Sequence, residues 1–424
     1  MTIEKLHQVF LKYPEVCTDT RKITKDCIFF ALKGPNFNGN TFAKDALAQG
    51  AAFAVIDEPA YAVSDQYITV DDVLRALQEL GTYHRLQYPA KILALTGSNG
   101  KTTTKELIHA VLSQKFNTIA TQGNLNNHIG VPLTLLCIKK ETEIAIVEMG
   151  ANHLKEIKFL CELAQPDFGY ITNFGKAHLE GFGGIEGVIQ GKSELYEHLI
   201  SRGKHIFLNA DDPIQLEKLQ EYSKKIGFST SLKDYFAIKL LSAAPFVKIK
   251  VKDLTIQTQL PGTYNFPNCA AAILIGSYFE VPIVAIKKGL EGYLPENNRS
   301  QILKKNGLNI VLDAYNANPT SMQAALEAFY GMPEEPKMVI LGDMFELGPS
   351  APKEHQNIAE LVQTMNFDTS YLVGENFYKT RTSSKVFKTF EDLASFLKAS
   401  PIKKGTLLLK GSRGMALERL LDLL

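Results

Sequence analysis

From Lys91 to Thr230 the chain repeats one pattern, in which a short apolar run ends in a polar or glycine-rich turn and a helical pattern follows. Strands that alternate with helices form right-handed crossovers and therefore a parallel sheet. Ligands of such sheets bind at the carboxyl ends of the strands, so the polar turns predict a binding edge. The runs are KILALTGSNG, TIATQGNLNN, EIAIVEMGANH, FGYITNFGKAH, KHIFLNADDP and KKIGFST.

Strand and helix patterns also occur on both sides of this region. CIFFAL, AAFAVID and YITV precede it, and LNIVLDAYNANP, KMVILGDMFELG, TSYLVGENF and GTLLLKGSRGM follow it. We predict an α/β protein of three domains, with a central P-loop-type parallel sheet and a C-terminal Rossmann-like sheet. The expected domains are residues 1–89, 90–295 and 296–424. Residues 236–260 alternate strictly and predict antiparallel hairpins added to the central sheet.

Composition excludes several classes of protein. The formal net charge of +1 provides no bulk field for nucleic acid or a membrane surface. No run approaches the ~18 apolar residues of a membrane span, and the N-terminus lacks the pattern of a signal peptide. The five cysteines are scattered, which fits reduced thiols. We therefore expect a cytoplasmic protein with neither a nucleic-acid partner nor membrane insertion.

The stretch LTGSNGKTTT, residues 95–104, resembles a phosphate-binding loop with an unusual glycine spacing. The standard loop needs a glycine where Leu95 stands, and this chain has Gly97 instead. A strand pattern precedes the stretch and a helical pattern follows it, as a phosphate loop requires. Lys101 would reach the β- and γ-phosphates and Thr102 would bind Mg²⁺. The alternative is an ordinary turn with a chance GKT.

Polar residues at other strand ends add candidates. Glu148 ends the strand EIAIVEMG, where nucleotide-hydrolysing folds place an acid for Mg²⁺, and His178 follows the next strand. A lone histidine is also a common structural residue. A second G-K-S, at residues 191–193, lies in a helical pattern without a preceding strand and is not a second phosphate loop.

Amide and charged side chains supply further candidates with alternatives. Asn265 and Asn268, three residues apart at a helix start, either bind a nucleotide or cap the helix. Arg299 either clamps a polyphosphate or forms a surface ion pair, and Asp313 ends the first strand of the third domain. The asparagines of TQGNLNNHIG either bind a ligand or serve the turn. They are Asn124, Asn126 and Asn127.

Taken together, these motifs resemble the Mur ligase family, the ATP-dependent amide-forming enzymes of bacterial peptidoglycan precursor synthesis. The family loop T-G-x-x-G-K-T-[ST] is satisfied by residues 96–103, and the resemblance spans nearly the whole chain. The stretches GNLNNHIGVPLT, EMGANHLKEI, NFGKAHLEGFGG, DAYNANPTSMQAAL, LGDMFELG and KGSRGM are similar to the branch that adds D-alanyl-D-alanine to UDP-N-acetylmuramoyl-tripeptide. The resemblance implies a reaction that proceeds through an acyl phosphate. It also implies that this reaction is the last cytoplasmic step in the synthesis of the UDP-linked pentapeptide.

The resemblance also implies roles for individual residues. Lys192 falls where the family has a carbamylated lysine, which gives an anion able to bind Mg²⁺. The catalytic set would be Lys101, Glu148, His178 and Lys192, and the Mg²⁺ set would be Thr102, Glu148, His178 and Lys192. ATP would contact Gly97, Ser98, Asn99, Gly100, Lys101, Thr102, Thr103, Asn265, Asn268, Arg299, Asp313 and Tyr315. The substrates would contact Thr20, Arg21, Asn124, Asn126, Asn127, Asn318, Ser412 and Arg413.

Two other functions share some of these features. A folate polyglutamate ligase has the same loop, but the N-terminal domain and DAYNANP argue against it. A nucleotide-switch or motor ATPase has such a loop without ligase chemistry, although the N-K-x-D motif of GTPases is missing.

We expect a monomer whose partners are small molecules. The third residue of the tripeptide, diaminopimelate or lysine, stays open, and Lys25-Asp26 and Asn38-Gly39-Asn40 depart from the family pattern near the uridine site.

Overall fold

The structure is a computed structural model that describes all 424 residues. The chain forms two compact units. The first comprises residues 1–94, 116–150 and 156–168, and the second comprises residues 95–115, 151–155 and 169–424. No helix is both long and apolar enough to cross a membrane.

The first unit opens with a parallel four-stranded sheet in the order β1-β2-β5-β6. Helix α3 begins after Asp72, whose carboxylate accepts a bond from the Arg75 amide, and its apolar face packs with Leu6 and Phe10 over the sheet. This small α/β layer confirms the sequence prediction, to which the structure adds α1 and the β3-β4 hairpin. The elements are α1 (Ile3–Lys12), β1 (Val16–Cys17), β2 (Ile28–Phe30), β3 (Lys33–Gly34), β4 (Phe37–Asn38), α2 (Ala43–Ala48), β5 (Phe53–Ile56), β6 (Tyr67–Thr69) and α3 (Val73–Leu86).

A seven-stranded central sheet has the order β13-β12-β11-β10-β7-β9-β8. Its β8-β9, β11-β12 and β12-β13 pairs are parallel, as the repeated pattern predicts. The strands are β7 (Lys91–Thr96), β8 (Thr118–Ala120), β9 (Ile144–Glu148), β10 (Phe168–Ile171), β11 (His205–Asn209), β12 (Lys225–Ser229) and β13 (Phe236–Ala237). The helices are α4 (Lys101–Leu112), α5 (Gly130–Leu136), α6 (Glu156–Ala164), α7 (Leu179–Phe182), α8 (Ile185–Ser201) and α9 (Pro213–Leu219).

Residues 236–260 differ in part from the sequence prediction. Only β13 joins the central sheet, and it does so in parallel. The remaining strands form a separate antiparallel sheet, so the hairpins are confirmed but their place in the central sheet was predicted wrongly. Strict alternation indicates one buried face and not which sheet receives the strand. The elements are β14 (Lys239–Ser242), β15 (Lys248–Val251), β16 (Leu254–Gln257), α10 (Phe266–Tyr278) and α11 (Ile283–Glu291).

The C-terminal sheet has the order β17-β18-β22-β19-β20-β21, with β17 antiparallel and the other pairs parallel. Separate apolar clusters, around Phe329 and around Leu393, cover its faces, as in a doubly wound fold. The Rossmann-like prediction is confirmed, although the sequence did not indicate β17 and β21. The elements are β17 (Gln301–Lys305), β18 (Leu308–Asp313), α12 (Pro319–Tyr330), β19 (Lys337–Gly342), α13 (Ala351–Met365), β20 (Thr369–Val373), β21 (Lys385–Phe387), α14 (Phe390–Ala399) and β22 (Gly405–Lys410).

Two buried histidines join α1 to α3 in the first unit. Nε2 of His7 lies 2.9 Å from Nδ1 of His84, and Nε2 of His84 lies 2.7 Å from the carbonyl oxygen of Ile138. The carbonyl only accepts, so His84 donates from Nε2 and accepts at Nδ1 from His7. Burial lowers the pKa of both rings, and the neighbouring His84 lowers that of His7 further.

We expect stability to fall as the pH drops below about 6.5, the unperturbed histidine value. A histidine whose pKa is lowered in the folded state binds protons more readily when unfolded, so acid favours unfolding. Burial also lowers the pKa of His355 and brings that of His198 to about 4, so these rings add to the slope. The free energy of unfolding in urea, measured between pH 8 and 5, should decrease below pH 7. His7→Gln should make that slope shallower, whereas the exposed His128→Gln should leave it unchanged. Equal slopes in all three proteins would contradict the assignment.

Candidate functional site

The loop between β7 and α4 has the backbone geometry of a phosphate-binding turn. Gly97 and Gly100 have φ of 142° and 77°, as the sequence predicts, and L side chains rarely adopt such values. A Cβ on Gly97 would lie 2.0 Å from Oγ1 of Thr172, and one on Gly100 would lie 2.6 Å from Oδ1 of Asn268. The loop therefore requires glycine at both positions, and helix α4 starts directly after it.

The loop is held by the segment that follows β10. The hydroxyl of Thr172 donates to the carbonyl of Asn99 at 2.6 Å, and the Nδ2 amide of Asn173 donates to the same oxygen at 3.0 Å. The Asn99 amide donates to Oδ1 of Asn173 at 3.1 Å, and Oγ of Ser98 donates to the carbonyl of Gly175 at 2.9 Å. Sequence reasoning did not select Thr172 or Asn173, because a polar residue after a strand is also ordinary turn chemistry.

The side chain of Lys101 reaches back to the loop between β7 and α4. Its Nζ donates to the carbonyl of Gly97 at 2.7 Å and to that of Ser98 at 3.2 Å. Thr102 and Thr103 are buried in the first turn of α4. An ammonium group and the positive end of a helix dipole thus face the same turn, which is the electrostatic arrangement that binds phosphate.

Asn265 and Asn268 support the loop from α10. Oδ1 of Asn268 accepts a bond from Oγ1 of Thr104 at 3.0 Å, and its Nδ2 donates to Oδ1 of Asn265 at 3.1 Å. Asn265 in turn donates to the carbonyl of Pro261 at 2.7 Å. The capping alternative is wrong, because the Asn265 side chain makes no cap bond to α10. Both amides connect α10 to α4 behind Gly100, and their contact with ATP stays a prediction.

Glu148 ends β9 in the first unit, as predicted, and is buried. Its Oε1 accepts a bond from Nδ2 of Asn126 at 2.8 Å, and its amide donates to Oγ1 of Thr121 at 3.0 Å. Asn127 serves the turn, since its Oδ1 accepts from the backbone amides that begin α5, and Asn124 is exposed. Asn126 therefore orients Glu148, a contact that neither of the two alternatives left open by the sequence includes.

Lys192 is buried in the middle of α8, in the second unit. Its Nζ donates to the carbonyl of Ala151 at 2.9 Å and lies 5.0 Å from the centre of the Phe182 ring. The helical prediction for this G-K-S stretch is confirmed. A carbamylated lysine nitrogen keeps one N–H, so this hydrogen bond is compatible with a carbamate at Lys192.

Residues of the C-terminal sheet contact the loop and the segment after β10. Nδ2 of Asn318, the N-cap of α12, donates to Oδ1 of Asn99 at 2.7 Å. Nζ of Lys176 donates to Oε1 of Glu354 at 2.7 Å, and Nδ1 of His178 contacts Oε2 of Glu346. This contact holds the pKa of Glu346 below its usual value, against the effect of burial. Lys176, Glu346 and Glu354 were not selected from the sequence, because single charged residues in loops and helices rarely mark a contact by themselves.

The strand ends of the C-terminal sheet carry an ion pair and a cation stack. Asp313 and Lys410 are register partners on β18 and β22, and Nζ of Lys410 lies 2.5 Å from Oδ2 of Asp313. The guanidinium carbon of Arg299 lies 3.7 Å from the centre of the Tyr315 ring, and that of Arg413 lies 5.0 Å from it. Arg299 is therefore no surface ion pair, because its buried Nε has no hydrogen-bond partner and its guanidinium stacks on Tyr315.

Ser412 joins two loops of the same sheet edge. Its Oγ accepts a bond from the amide of Phe345 at 2.9 Å and donates to the carbonyl of Ala317 at 3.3 Å.

In the first unit, Thr20 begins a short turn in which the exposed Arg21 forms a bidentate pair with Asp19. This pairing lowers the pKa of Asp19 to about 2. Arg21 and Ser412 keep their predicted substrate roles as predictions.

The fold and the site define a nucleotide-binding α/β protein whose C-terminal sheet brings its own polar loops to the phosphate loop. Family models match three ranges: the Mur ligase family catalytic domain at residues 12–85, the Mur ligase middle domain at 95–276 and the glutamate ligase domain at 298–413. The chain belongs to the Mur ligase family, and the resemblance found in the sequence is confirmed.

Named relatives are similar over almost the whole length. The UDP-N-acetylmuramoyl-tripeptide--D-alanyl-D-alanine ligase of Bacillus subtilis is 35% identical, covering 96% of this chain and 92% of the relative. The Escherichia coli ligase of the same name is 34% identical, covering 95% and 92%. Among solved structures, MurF from Acinetobacter baumannii superposes with a TM-score of 0.83 at 30% identity, covering 99% and 98%. MurF from Thermotoga maritima in complex with ADP gives 0.83 at 26% identity, covering 97% of each chain. These likenesses confirm the three-domain architecture.

We expect Gly97→Ala to weaken ATP binding at least tenfold, because the added Cβ meets Thr172 and displaces the loop. Gly123→Ala is the matched control, since Gly123 also has a positive φ, of 53°, but open space around its Cβ position. Titration with a fluorescent ATP analogue measures both variants, and circular dichroism checks that each is folded. Wild-type affinity in a folded Gly97→Ala protein would contradict the role of the close approach.

Proposed function

We propose that the protein is an ATP-dependent, ADP-forming ligase that joins D-alanyl-D-alanine to UDP-N-acetylmuramoyl-tripeptide through an acyl phosphate. The 2.7 Å contact between Asn318 and Asn99 carries the proposal, because it brings the DAYNANP loop to the phosphate loop. The curated relatives named above carry this activity in their names, and one structural relative was solved with ADP. A switch or motor ATPase would account neither for the contact between the DAYNANP loop and the phosphate loop nor for the similarity to those ligases.

The chain's own residues supply binding and charge stabilisation. A carboxylate does not condense with an amine in water without activation. The tripeptide carboxylate therefore attacks the γ-phosphate of ATP and ADP leaves, after which the dipeptide amine attacks the acyl carbon and displaces phosphate. Lys101 would exchange its bonds to Gly97 and Ser98 for the β- and γ-phosphate oxygens. The amides of the loop are already fixed in place, so they would bind the phosphate oxygens without rearranging. Such preorganised donors stabilise a transition state in which negative charge shifts from one phosphate oxygen to another.

The donor types of the residues that the sequence predicts for Mg²⁺ suit a hard cation, since a hydroxyl, a carboxylate and a carbamate offer oxygen. No cluster of three or more carboxylate, histidine or cysteine groups is able to cage a metal. Mg²⁺ in phosphate-transferring sites is commonly held by one or two protein oxygens together with phosphates and water, so no such cage is needed. Thr102, Glu148, His178 and a carbamylated Lys192 would hold the ion. When bound, it would neutralise the charge of the transferred phosphoryl group.

The proposal extends to setting and organisation. All five cysteines are free, which supports a cytoplasmic enzyme. We propose a monomer whose partners are its small-molecule substrates, without nucleic acid. We also propose the domains 1–89, 90–295 and 296–424, and each range matched by a family model lies inside one of them.

We expect phosphate release from ATP to require both the UDP-linked tripeptide and D-alanyl-D-alanine, because the acyl phosphate forms on one substrate and is consumed by the other. A coupled phosphate assay should give less than a tenth of the full rate when either substrate is omitted. Parallel assays with the lysine and the diaminopimelate tripeptide identify the third residue. Full turnover with ATP alone would instead support a switch or motor ATPase.

We expect Lys192→Ala to lose most activity and to recover part of it with small carboxylic acids, which replace the carbamate as an oxygen ligand. Carbon-13 NMR after incubation with labelled bicarbonate should show a carbamate signal that is absent from the variant. Lys398→Ala, which removes an exposed lysine of α14, serves as the control and should retain both activity and the signal. Near-normal turnover of Lys192→Ala would overturn the carbamate proposal.

A further inference from the structure

His178 and Glu346 meet with unusual backbones on both sides. His178 is the N-cap of α7, with φ of 54°, and Glu346 has φ of 61° in the loop after β19. Left-handed backbone is costly for residues other than glycine and persists only where the surroundings fix it. Between these two residues, Nδ1 of the His178 ring contacts Oε2 of the Glu346 carboxylate.

The contact determines which nitrogen of the ring carries the proton. A carboxylate oxygen and an unprotonated ring nitrogen repel each other, so this close contact requires a hydrogen on Nδ1, although its angle is not that of a regular hydrogen bond. In the neutral ring Nε2 then carries the lone pair. Histidines that bind metals commonly donate their other N–H to a carboxylate, which fixes both ring orientation and tautomer.

The carboxylate comes from the C-terminal sheet, whereas the histidine follows β10 of the central sheet. The same loop docks through its backbone, where the amide of Glu180 lies 3.3 Å from the carbonyl of Glu346. Nearby, Nζ of Lys176 binds Glu354 at 2.7 Å. The docked loop of the C-terminal sheet therefore supplies the carboxylate that contacts the His178 ring.

We propose that Glu346 is a positioning residue of the ligase reaction, which holds the His178 ring with Nε2 free for the Mg²⁺ or phosphate group once the C-terminal loop has docked. The proposal rests on the proposed function for its catalytic part. Its geometric part, the tautomer of His178, is independent of the substrate.

Glu346→Ala is the first test, and Glu354→Ala is its matched control at the same contact surface. Both variants remove one carboxylate that binds the segment from Lys176 to His178, but only Glu346 contacts the ring. Long-range nitrogen-15 NMR of histidine-labelled enzyme reads the tautomer without substrates, and His178→Asn assigns the signal. Steady-state kinetics then separates kcat from KM for each substrate.

We expect Glu346→Ala to shift the His178 signal away from the Nδ1–H tautomer and to lower kcat about 10- to 100-fold, the usual range for losing a residue that orients a metal ligand. Glu346→Gln retains an oxygen that accepts from Nδ1, so it should keep the tautomer and lose less than tenfold. Glu354→Ala should keep the tautomer. An unchanged His178 tautomer in Glu346→Ala, or equal kcat losses in Glu346→Ala and Glu354→Ala, would overturn the proposal. A wild-type enzyme without ligase activity would overturn the proposed function and leave the tautomer result valid.

Discussion

The candidate site depends on the segment from Thr172 to His178, which binds the phosphate loop on one side and the C-terminal sheet on the other. Thr172 and Asn173 satisfy the carbonyl of Asn99, which a turn at a strand end otherwise leaves to solvent. Further along the segment, Lys176 and His178 bind carboxylates from α13 and from the loop after β19. A displacement of this segment would therefore change the phosphate loop and the docking of the C-terminal sheet together.

The C-terminal sheet presents its loops as one surface because its strand ends are joined by polar contacts. Lys410 is almost fully buried, and its pairing with Asp313 locks β18 to β22 where both strands end. Breaking such a pair leaves an uncompensated buried charge, which costs about 3–5 kcal/mol, so the register at these ends is strongly specified. Ser412 adds bonds to the loops that contain Ala317 and Phe345. The three motifs DAYNANP, GDMFELG and KGSRGM thus meet at one sheet edge.

The sequence indicated the fold and the phosphate loop well, because both have local signals. Strand, turn and helix patterns predicted the central and C-terminal sheets, and the glycine pair predicted positive φ at Gly97 and Gly100. It indicated much less about contacts between distant segments. Nothing in the sequence around Glu346 or Glu354 distinguishes these acids from others. Their partners, His178 and Lys176, lie more than 160 residues away along the chain, and only the fold shows the contacts. Asn265 and Asn268 illustrate the same limit. Their position at a helix start suggests capping, whereas in the fold Asn268 bonds to Thr104 and Asn265 bonds to Pro261.

The ion pairs that dock the loops of the C-terminal sheet are polar, and each has one well-exposed partner. The side chain of Lys176 is 49% exposed and that of Glu346 is 51% exposed. Ion pairs of this kind contribute about 0–1 kcal/mol each, because water competes for the exposed partner of each pair. An apolar contact of similar extent would hold the loops more firmly and slow the exchange of substrates and product. Weak contacts that still orient Asn99 and His178 therefore give the proposed ligase an ordered site while these loops are docked.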